Sequence, residues 1–339
     1  MQERRAAFVR EDPMVYVMSR RAALAALAGS WVAWSAPAAR AANKLRVGKA
    51  VAENWGNVPL DIGMQFGLFE KQGLEIEELI FAGGAKLAQA VTAGAVDIAL
   101  SGGPDMVYVA KGAPEIAVGT IADTAAFMGI SVGSQSTARG IDDLKGKKIG
   151  VTSAGSTTYW LVDQLNRAKG WTGADMAIPV VIGGSPSAGF AGLKTGEIDA
   201  DVGGTSTGYQ LEEQNAGRLL LDCSEYVPSI ELYVIFASTA LVQQNPGAVR
   251  GFLKGWYDSV AFMKSHKAES VPIAAKVMGY TPRVAERMYD TLMAKFSTDG
   301  RFNPQAIEAL RASFIDMKSL DAPSIDMSKF YTTAYLPKS

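Results

Sequence analysis

The sequence is poor in the side chains that most often bind metal ions or act as nucleophiles. It has one cysteine, Cys223, and one histidine, His266, among 339 residues. A single cysteine excludes a disulfide within the chain and a multi-thiolate metal site. A zinc hydrolase or a His-dependent catalytic triad needs histidine side chains that this chain does not supply. The one histidine, His266, lies among flexible polar residues. We therefore expect neither a metal ion nor a cofactor.

The chain also lacks a net charge of either sign and any long block of like charges. Its 33 lysines and arginines nearly balance 34 aspartates and glutamates, which leaves a formal charge of −1. Binding to nucleic acid or to an acidic lipid surface requires clustered positive charge, so we expect neither partner. A hydrophobic content of 48% at this length predicts a folded chain with room for two domains.

One apolar run near the N-terminus has the pattern of an export signal. Ser-Arg-Arg at positions 19–21 precedes apolar residues 22–33, and Ala39 and Ala41 are the small residues that a cleavage site needs. The pattern predicts an N-terminal extension followed by an export signal within residues 1–41, cleavage near Ala41 and a periplasmic protein. The arginine pair is typical of a twin-arginine signal. Because Ala23 stands where a larger apolar residue is usual, the general secretory route stays open.

Much of a glycine-rich pattern occurs twice, 102 residues apart. Each copy reads as a Gly-Gly turn after a strand, a helix with apolar residues three or four apart, a glycine and a short strand, which predicts a βαβ unit. Two such units predict two α/β lobes that face a cleft at the carboxyl ends of their strands. The matched pairs are Val91 with Leu193, Gly94 with Gly196, Val96 with Ile198, Asp97 with Asp199, and Gly102 with Gly204.

Turns that deliver the chain from a strand into a helix aim N–H groups at this cleft. Gly-Ser-Thr-Thr at 155–158 is the most informative, because hydroxyls at a helix start can bind an anion, although a helix cap alone also explains Ser156. Trp55 is open to two interpretations, a ring that stacks on the ligand or a partly buried loop aromatic. The predicted ligand-binding residues are Trp55, Gly84, Ser101, Gly102, Thr120, Ser153, Ser156, Thr157, Gly184 and Gly204.

Asp97 and Asp199 invite an interpretation as paired catalytic carboxylates. Their positions in the repeat place them in different lobes, each between a helix and a strand. A carboxylate at such a point usually stabilises a turn. We therefore predict a structural role for both.

Four motifs occur in order along most of the chain. They are Gly-Leu-Phe at 67–69 followed by Gly-Leu-Glu-Ile at 73–76, Gly-Ala-Val-Asp-Ile-Ala at 94–99, Asp-Leu-Lys-Gly-Lys-Lys-Ile-Gly-Val at 143–151, and Asn-Pro at 245–246. Together they resemble the periplasmic substrate-binding proteins of the nitrate, sulfonate and taurine type, which share their fold with thiamine-pyrimidine synthases. The resemblance implies an α/β, two-lobed type II periplasmic-binding-protein fold, in which each lobe is a mixed sheet flanked by helices.

The resemblance also implies a function. A monomeric, non-enzymatic protein would capture a small sulfonate-, nitrate- or carboxylate-like anion and deliver it to the permease and ATPase of an ABC importer. The alternatives are a thiamine-pyrimidine-precursor binding protein, a synthase-like enzyme on the same fold, or the sensory module of a signalling protein. The expected domains are residues 43–124 and 227–339 for the first lobe and 125–226 for the second, with crossings at 119–131 and 222–231.

Overall fold

The computed structural model describes residues 43–154, 156–183, 185–316, 318–320 and 325–338. The predicted export signal and its cleavage site near Ala41 lie outside the described residues, and so does the predicted ligand residue Gly184. Within the described ranges, no helix combines the length and the apolar character needed to cross a bilayer.

Strands and helices alternate along most of the described chain, as expected for an α/β protein. The strands there are β1 (Asn43–Lys49), β2 (Leu74–Ile80), β3 (Ile98–Gly102), β4 (Glu115–Ala122), β5 (Met128–Gly133), β6 (Lys148–Val151), β7 (Ile178–Val181), β8 (Ala200–Gly204), β9 (Gly217–Asp222) and β10 (Tyr233–Ser238). The helices are α1 (Val58–Gln65), α2 (Gly84–Thr92), α3 (Met106–Ala110), α4 (Thr157–Lys169), α5 (Pro186–Thr195), α6 (Thr205–Glu213), α7 (Thr239–Gln244), α8 (Pro246–Ser265), α9 (Lys267–Met278), α10 (Pro282–Leu292) and α11 (Pro304–Asp316).

In the described part of the chain the strands form two five-stranded mixed sheets. The first has the order β2-β1-β3-β10-β4 and the second the order β7-β6-β8-β5-β9. In each sheet the fourth strand, β10 or β5, is antiparallel to both of its neighbours, whereas the first three are parallel. We call the first sheet with its helices the first lobe, and the second sheet with its helices the second lobe.

The chain passes between the sheets at 123–127 and again at 223–232. The expected first crossing at 119–131 was too long, because β4 continues to Ala122 and β5 begins at Met128. Ile130 and Val132 are fully buried in β5. The small apolar residues of 119–131 therefore form the end of β4, a short connection and the buried first part of β5.

The predicted repeat is confirmed by the strand register. A shift of 102 residues places β3 on β8, and it places the start of α2 on the start of α5. Val47 of β1 pairs with Ile98 of β3. The equivalent residue of β6, Ile149, pairs with Ala200 of β8. The two lobes therefore share one βαβ framework, so that residues 102 apart can be compared directly.

Asp97 and Asp199 occupy equivalent positions and make equivalent backbone contacts. Asp97 accepts a hydrogen bond from the backbone N–H of Arg46 at 2.9 Å, and Asp199 accepts one from Lys148 at 2.9 Å. Asp97 also accepts hydrogen bonds from the Arg46 guanidinium at 3.0 and 2.8 Å. Each carboxylate lies just before β3 or β8 and fixes the start of that strand against the neighbouring strand, β1 or β6. The predicted structural role is confirmed.

This difference between the two aspartates predicts different stabilities for their alanine variants. We expect Asp97→Ala to lower the free energy of unfolding by about 2 kcal/mol and Asp199→Ala by about 1 kcal/mol, because Asp97 also pairs with the Arg46 guanidinium, whereas Asp199 has only the backbone contact. Urea unfolding monitored by circular dichroism measures both values. Equal losses would mean that the Arg46 guanidinium adds nothing to the backbone contact.

The aromatic residues of α8 belong to the core, as their helical spacing predicts. Val249, Phe252 and Trp256 are fully buried, and the Phe252 ring stacks on Phe69 with centroids 5.2 Å apart. Three helices, α8, α10 and α11, begin at the proline of an Asn-Pro or Thr-Pro pair, a position at which proline suits the first turn of a helix. Helix α8 packs on α1 of the first lobe, whereas α10 also contacts α6 and α11 also contacts α4 in the second lobe.

The last described segment, 325–338, lies against β4 at the outer edge of the first sheet. The backbone N–H of Ala117 in β4 donates to Phe330 O at 3.0 Å, and Thr332 N–H donates to Ala117 O at 2.8 Å. An edge strand leaves such groups unpaired. The segment therefore protects the outer edge of the first sheet.

Candidate functional site

A cavity of about 350 Å³ lies between the two sheets. Its walls include segments at the carboxyl ends of β1, β2 and β3 in the first lobe and of β6 and β8 in the second, together with residues of both crossings and of α10. Open α/β sheets hold their ligands at this edge. The volume is that of a site for a small molecule.

Seven of the ten predicted ligand-binding residues line this cavity. The structure does not bring Thr120 and Ser153 to it, and Gly184 is outside the described residues. Thr120 is buried in β4, where its hydroxyl donates to Glu231 at 2.5 Å. Ser153 is exposed, and its carbonyl accepts a hydrogen bond from the Ser156 hydroxyl. The residues at the cavity are Trp55, Gly84, Ser101, Gly102, Ser156, Thr157 and Gly204.

The start of α4 forms the most polar part of the second-lobe wall. Ser156 caps the helix, because its Oγ accepts a hydrogen bond from Tyr159 N–H at 3.2 Å. The same hydroxyl lies 2.8 Å from Ser153 O, to which it donates. Thr157 also faces the cavity, and its hydroxyl has no hydrogen-bond partner among the described residues. Ser156 is thus engaged in the fold, whereas Thr157 is available to a ligand.

Trp55 forms part of the first-lobe wall and is only 3% exposed. It begins a short 3-10 turn that Asn54 caps, since the Asn54 side chain accepts from Gly56 N–H at 2.8 Å. The indole N–H is buried and has no partner among the described residues. A buried donor without a partner is unusual in a folded protein, so this N–H is a candidate contact for a bound solute.

The charged residues at the cavity are both acidic, which the sequence did not predict. Glu53 and Asp105 line it, and the described lining residues include no lysine, arginine or histidine. Burial raises the pKa of Asp105 to about 6, although the Ser101 hydroxyl donates to it and opposes the shift. The carboxyl lies against Gly84, where an added Cβ would be 1.8 Å from Asp105 Oδ2. An internal carboxylate therefore occupies the start of α2.

An adjoining cavity of about 370 Å³ extends into the second lobe. The two cavities share Glu53, Thr158 and Ser206, so they form one continuous cleft. Asp201 in β8 and Gln210 in α6 line only the second of them. Neither residue was among those predicted from the glycine turns, since both lie inside regular elements.

Proteins of known sequence and solved structures are similar to this chain over most of its length. A protein of Brucella abortus that is named as a binding protein is 27% identical over 301 residues, which cover 86% of this chain and 91% of that protein. A protein of Haemophilus influenzae that is named for thiamine biosynthesis is 26% identical over 215 residues, which cover 62% of this chain and 65% of that protein. The crystal structure of the periplasmic aliphatic sulphonate binding protein SsuA from Escherichia coli superposes with a TM-score of 0.73 at 20% identity, covering 86% of this chain and 92% of that one.

The structural match confirms the predicted periplasmic-binding-protein fold, with two mixed sheets flanked by helices. The sequence profile of one family, described as NMT1/THI5 like, matches residues 58–270. That range contains both crossings. It also contains all of the predicted ligand-binding residues that line the cavity, except Trp55. Because the matched range is more than half of its length, the chain belongs to the NMT1/THI5-like family.

Proposed function

We propose that this chain is an exported solute-binding protein that captures a small solute with an acidic group and delivers it to the permease and ATPase of an ABC importer. The observation that carries the proposal is the cleft between the two sheets, into which the start of α4 presents Ser156 and Thr157. The names of the Brucella and Escherichia coli proteins support a binding role over an enzymatic one.

The acidic group of the solute would face the second lobe. The first residues of α4 and α6 both border the cleft there, with Thr157 at one start and Gly204 and Ser206 at the other. Helix N-termini carry partial positive charge and unpaired N–H groups, which favour an anion. On the opposite wall Asp105 would repel it. The first-lobe turns at Gly84, Ser101 and Gly102 would then contact the rest of the solute.

Capture would proceed by closure of the lobes about their two connections. We assign residues 43–124 and 227–339 to one lobe and 125–226 to the other, with hinges at 123–127 and 223–232. A solute that contacts both walls binds the closed state more tightly than the open one, and this difference in affinity drives closure. The export signal would place the mature chain, as a monomer, in the periplasm.

A second candidate is favoured by one observation. The Haemophilus relative is named for thiamine biosynthesis, and the family description includes THI5. A binding protein for a thiamine-pyrimidine precursor would use the same cleft. An aminopyrimidine probe therefore belongs beside sulfonates in any test.

The test is a thermal-shift screen of the mature chain, residues 42–339, followed by calorimetry. The panel is taurine, propanesulfonate, nitrate, benzoate and 4-amino-5-hydroxymethyl-2-methylpyrimidine. A true solute at 100 times its Kd should stabilise the fold by about 2.7 kcal/mol. If none of these compounds shifts the melting temperature, the proposed function is wrong for these solute classes.

Thr157→Val then tests the acid site with almost no change of shape. Losing a hydrogen bond to a charged group should weaken binding of the solute by roughly ten- to a hundredfold. Ser156→Ala should change binding much less, because the Ser156 hydroxyl already donates its proton to Ser153 O, but it should cost about 1 kcal/mol of stability through loss of the cap. Ser238→Ala is the matched control, because Ser238 caps α7 outside the cleft by accepting from Leu241 N–H at 3.1 Å. Unchanged affinity in Thr157→Val would show that the Thr157 hydroxyl does not bind the acidic group of the solute.

A further inference from the structure

Asp201 is a buried carboxyl group without a hydrogen-bond donor in the part of the chain that the structure describes. It lies in the middle of β8, is 7% exposed and lines the second part of the cleft. No described residue donates a hydrogen bond to it or forms an ion pair with it. Burial alone raises its pKa to about 6. An unpaired buried carboxylate destabilises a fold, so its presence requires another reason.

The repeat shows that the second lobe makes room for this carboxyl. In the first lobe the position of Asp201 is taken by Ala99, and the position of Gly189 by Leu87, which is buried. A Cβ added at Gly189 would lie 2.5 Å from Asp201 Oδ2. Where the first lobe fills this space with a leucine side chain, the second lobe therefore leaves it open with a glycine and places a carboxyl in it.

Among the described residues, no group near Asp201 neutralises its charge. Its strand partners are Ser131 on β5 and Gly150 on β6, and Gly189 faces it from α5. Glu53 and Tyr280 line the same cavity, and the first of these adds a second negative charge. The walls of this part of the cleft therefore favour a positively charged or N–H-bearing group.

We propose that Asp201 is a ligand subsite that binds a nitrogen of the solute, of the protonated amine, amidine or guanidine class. This inference rests on the proposed function, and it adds that the solute has two unlike ends. One end is acidic and faces the starts of α4 and α6. The other end carries N–H bonds and donates them to Asp201, with Glu53 close by.

Matched pairs of compounds that differ in the nitrogen test the subsite on the purified protein. The probes are taurine against ethanesulfonate and 3-aminopropionate against propionate, measured by calorimetry. We expect the amino compound of a pair to bind at least about tenfold more tightly, as for loss of a charge-assisted hydrogen bond. Asp201→Asn should remove this preference. Glu197→Gln, an exposed carboxylate just before β8, should retain it.

The outcomes separate the subsite from the proposed function. Equal binding of both compounds of a pair overturns the subsite but leaves solute binding intact. Failure of all four compounds to bind overturns the proposal for this solute class together with the subsite.

A measurement without solute is independent of the choice of probe. Because the pKa of Asp201 is raised in the folded state, its contribution to stability is lost as the pH rises from about 4 to 6. Asp201→Asn should therefore melt several degrees higher than the parent at pH 8, and this gain should shrink toward pH 4. A lower melting temperature for the variant at both pH values would make Asp201 a structural residue and overturn the inference.

Discussion

Replacing Lys49 with alanine is expected to lower the free energy of unfolding by about 3–5 kcal/mol. Lys49 ends β1 and is 1% exposed, and its Nζ lies 3.0 Å from Asp61 Oδ2 and 2.9 Å from Glu78 Oε1. Burial raises the pKa of Asp61, and the Lys49 charge opposes that rise. Without Lys49 the protein would retain two carboxylates at a buried point with no cation between them.

Lys44→Ala is the matched control, because it removes another lysine from the same strand. Lys44 pairs with Glu77 at 3.1 Å, but the two side chains are 57% and 41% exposed. A solvent-exposed pair contributes little, so this variant should lose at most about 1 kcal/mol. Both values come from urea unfolding at pH 7.

The pH dependence adds a second readout for Lys49. In Lys49→Ala the pKa of Asp61 should rise further in the folded state, because the lysine charge that opposes the effect of burial is gone, so stability is lost as the pH increases through the titration of this carboxyl. The deficit relative to the parent should therefore narrow toward pH 4. A deficit that stays constant, or one equal to that of Lys44→Ala, would contradict a buried ionic cluster.

Exchanging a pair of residues between the lobes should produce the second large effect. Gly189→Leu alone is expected to cost about 3 kcal/mol, because the new side chain must enter the space that the Asp201 carboxyl occupies. Gly189→Leu with Asp201→Ala rebuilds the Leu87 and Ala99 arrangement of the first lobe. The double variant should recover about 1–3 kcal/mol relative to Gly189→Leu alone, as expected for residues in contact.

Gly189→Leu with Asp199→Ala is the control for this exchange. Asp199 is exposed and contacts the backbone of Lys148, so its removal opens no space next to Gly189. This double variant should be less stable than Gly189→Leu alone. Chemical unfolding of the parent, of the single variants Gly189→Leu, Asp201→Ala and Asp199→Ala, and of both double variants gives the coupling energies. Equal recovery in both double variants would show that the leucine and the Asp201 carboxyl do not compete for space.

The sequence predicted the framework well because the signals for the framework are local. Glycine turns are visible within a few residues, and each one marks a helix start or a strand end in the structure. The repeat is found by comparing two such short segments 102 residues apart. The cleft was predicted from the same turns. Thr120 was misplaced relative to the cleft, because the strand faces depend on a partner, Glu231, more than a hundred residues away.

The acidic residues of the cleft were not predicted, for a physical reason. Whether a carboxyl is solvated or buried depends on packing between distant elements, and Asp105 and Asp201 resemble ordinary surface aspartates in their local sequence. One signal for Asp201 was present: the shift that aligns Asp97 with Asp199 also aligns Ala99 with Asp201 and Leu87 with Gly189. A departure from an internal repeat at two positions that prove to be in contact is more informative than either residue alone.

The position of β10 between β3 and β4 affects the order in which the chain can fold. The second sheet is built from the continuous stretch 128–222. The first sheet lacks its antiparallel fourth strand, β10, until the ribosome has synthesised the chain as far as residue 238. Contacts between residues so far apart in sequence form slowly, since the intervening chain must be ordered first. The second lobe can therefore nucleate early and hold β5 and β9 together. The folded second lobe holds the two connections in place and so brings β10 to its position between β3 and β4, which completes the first sheet.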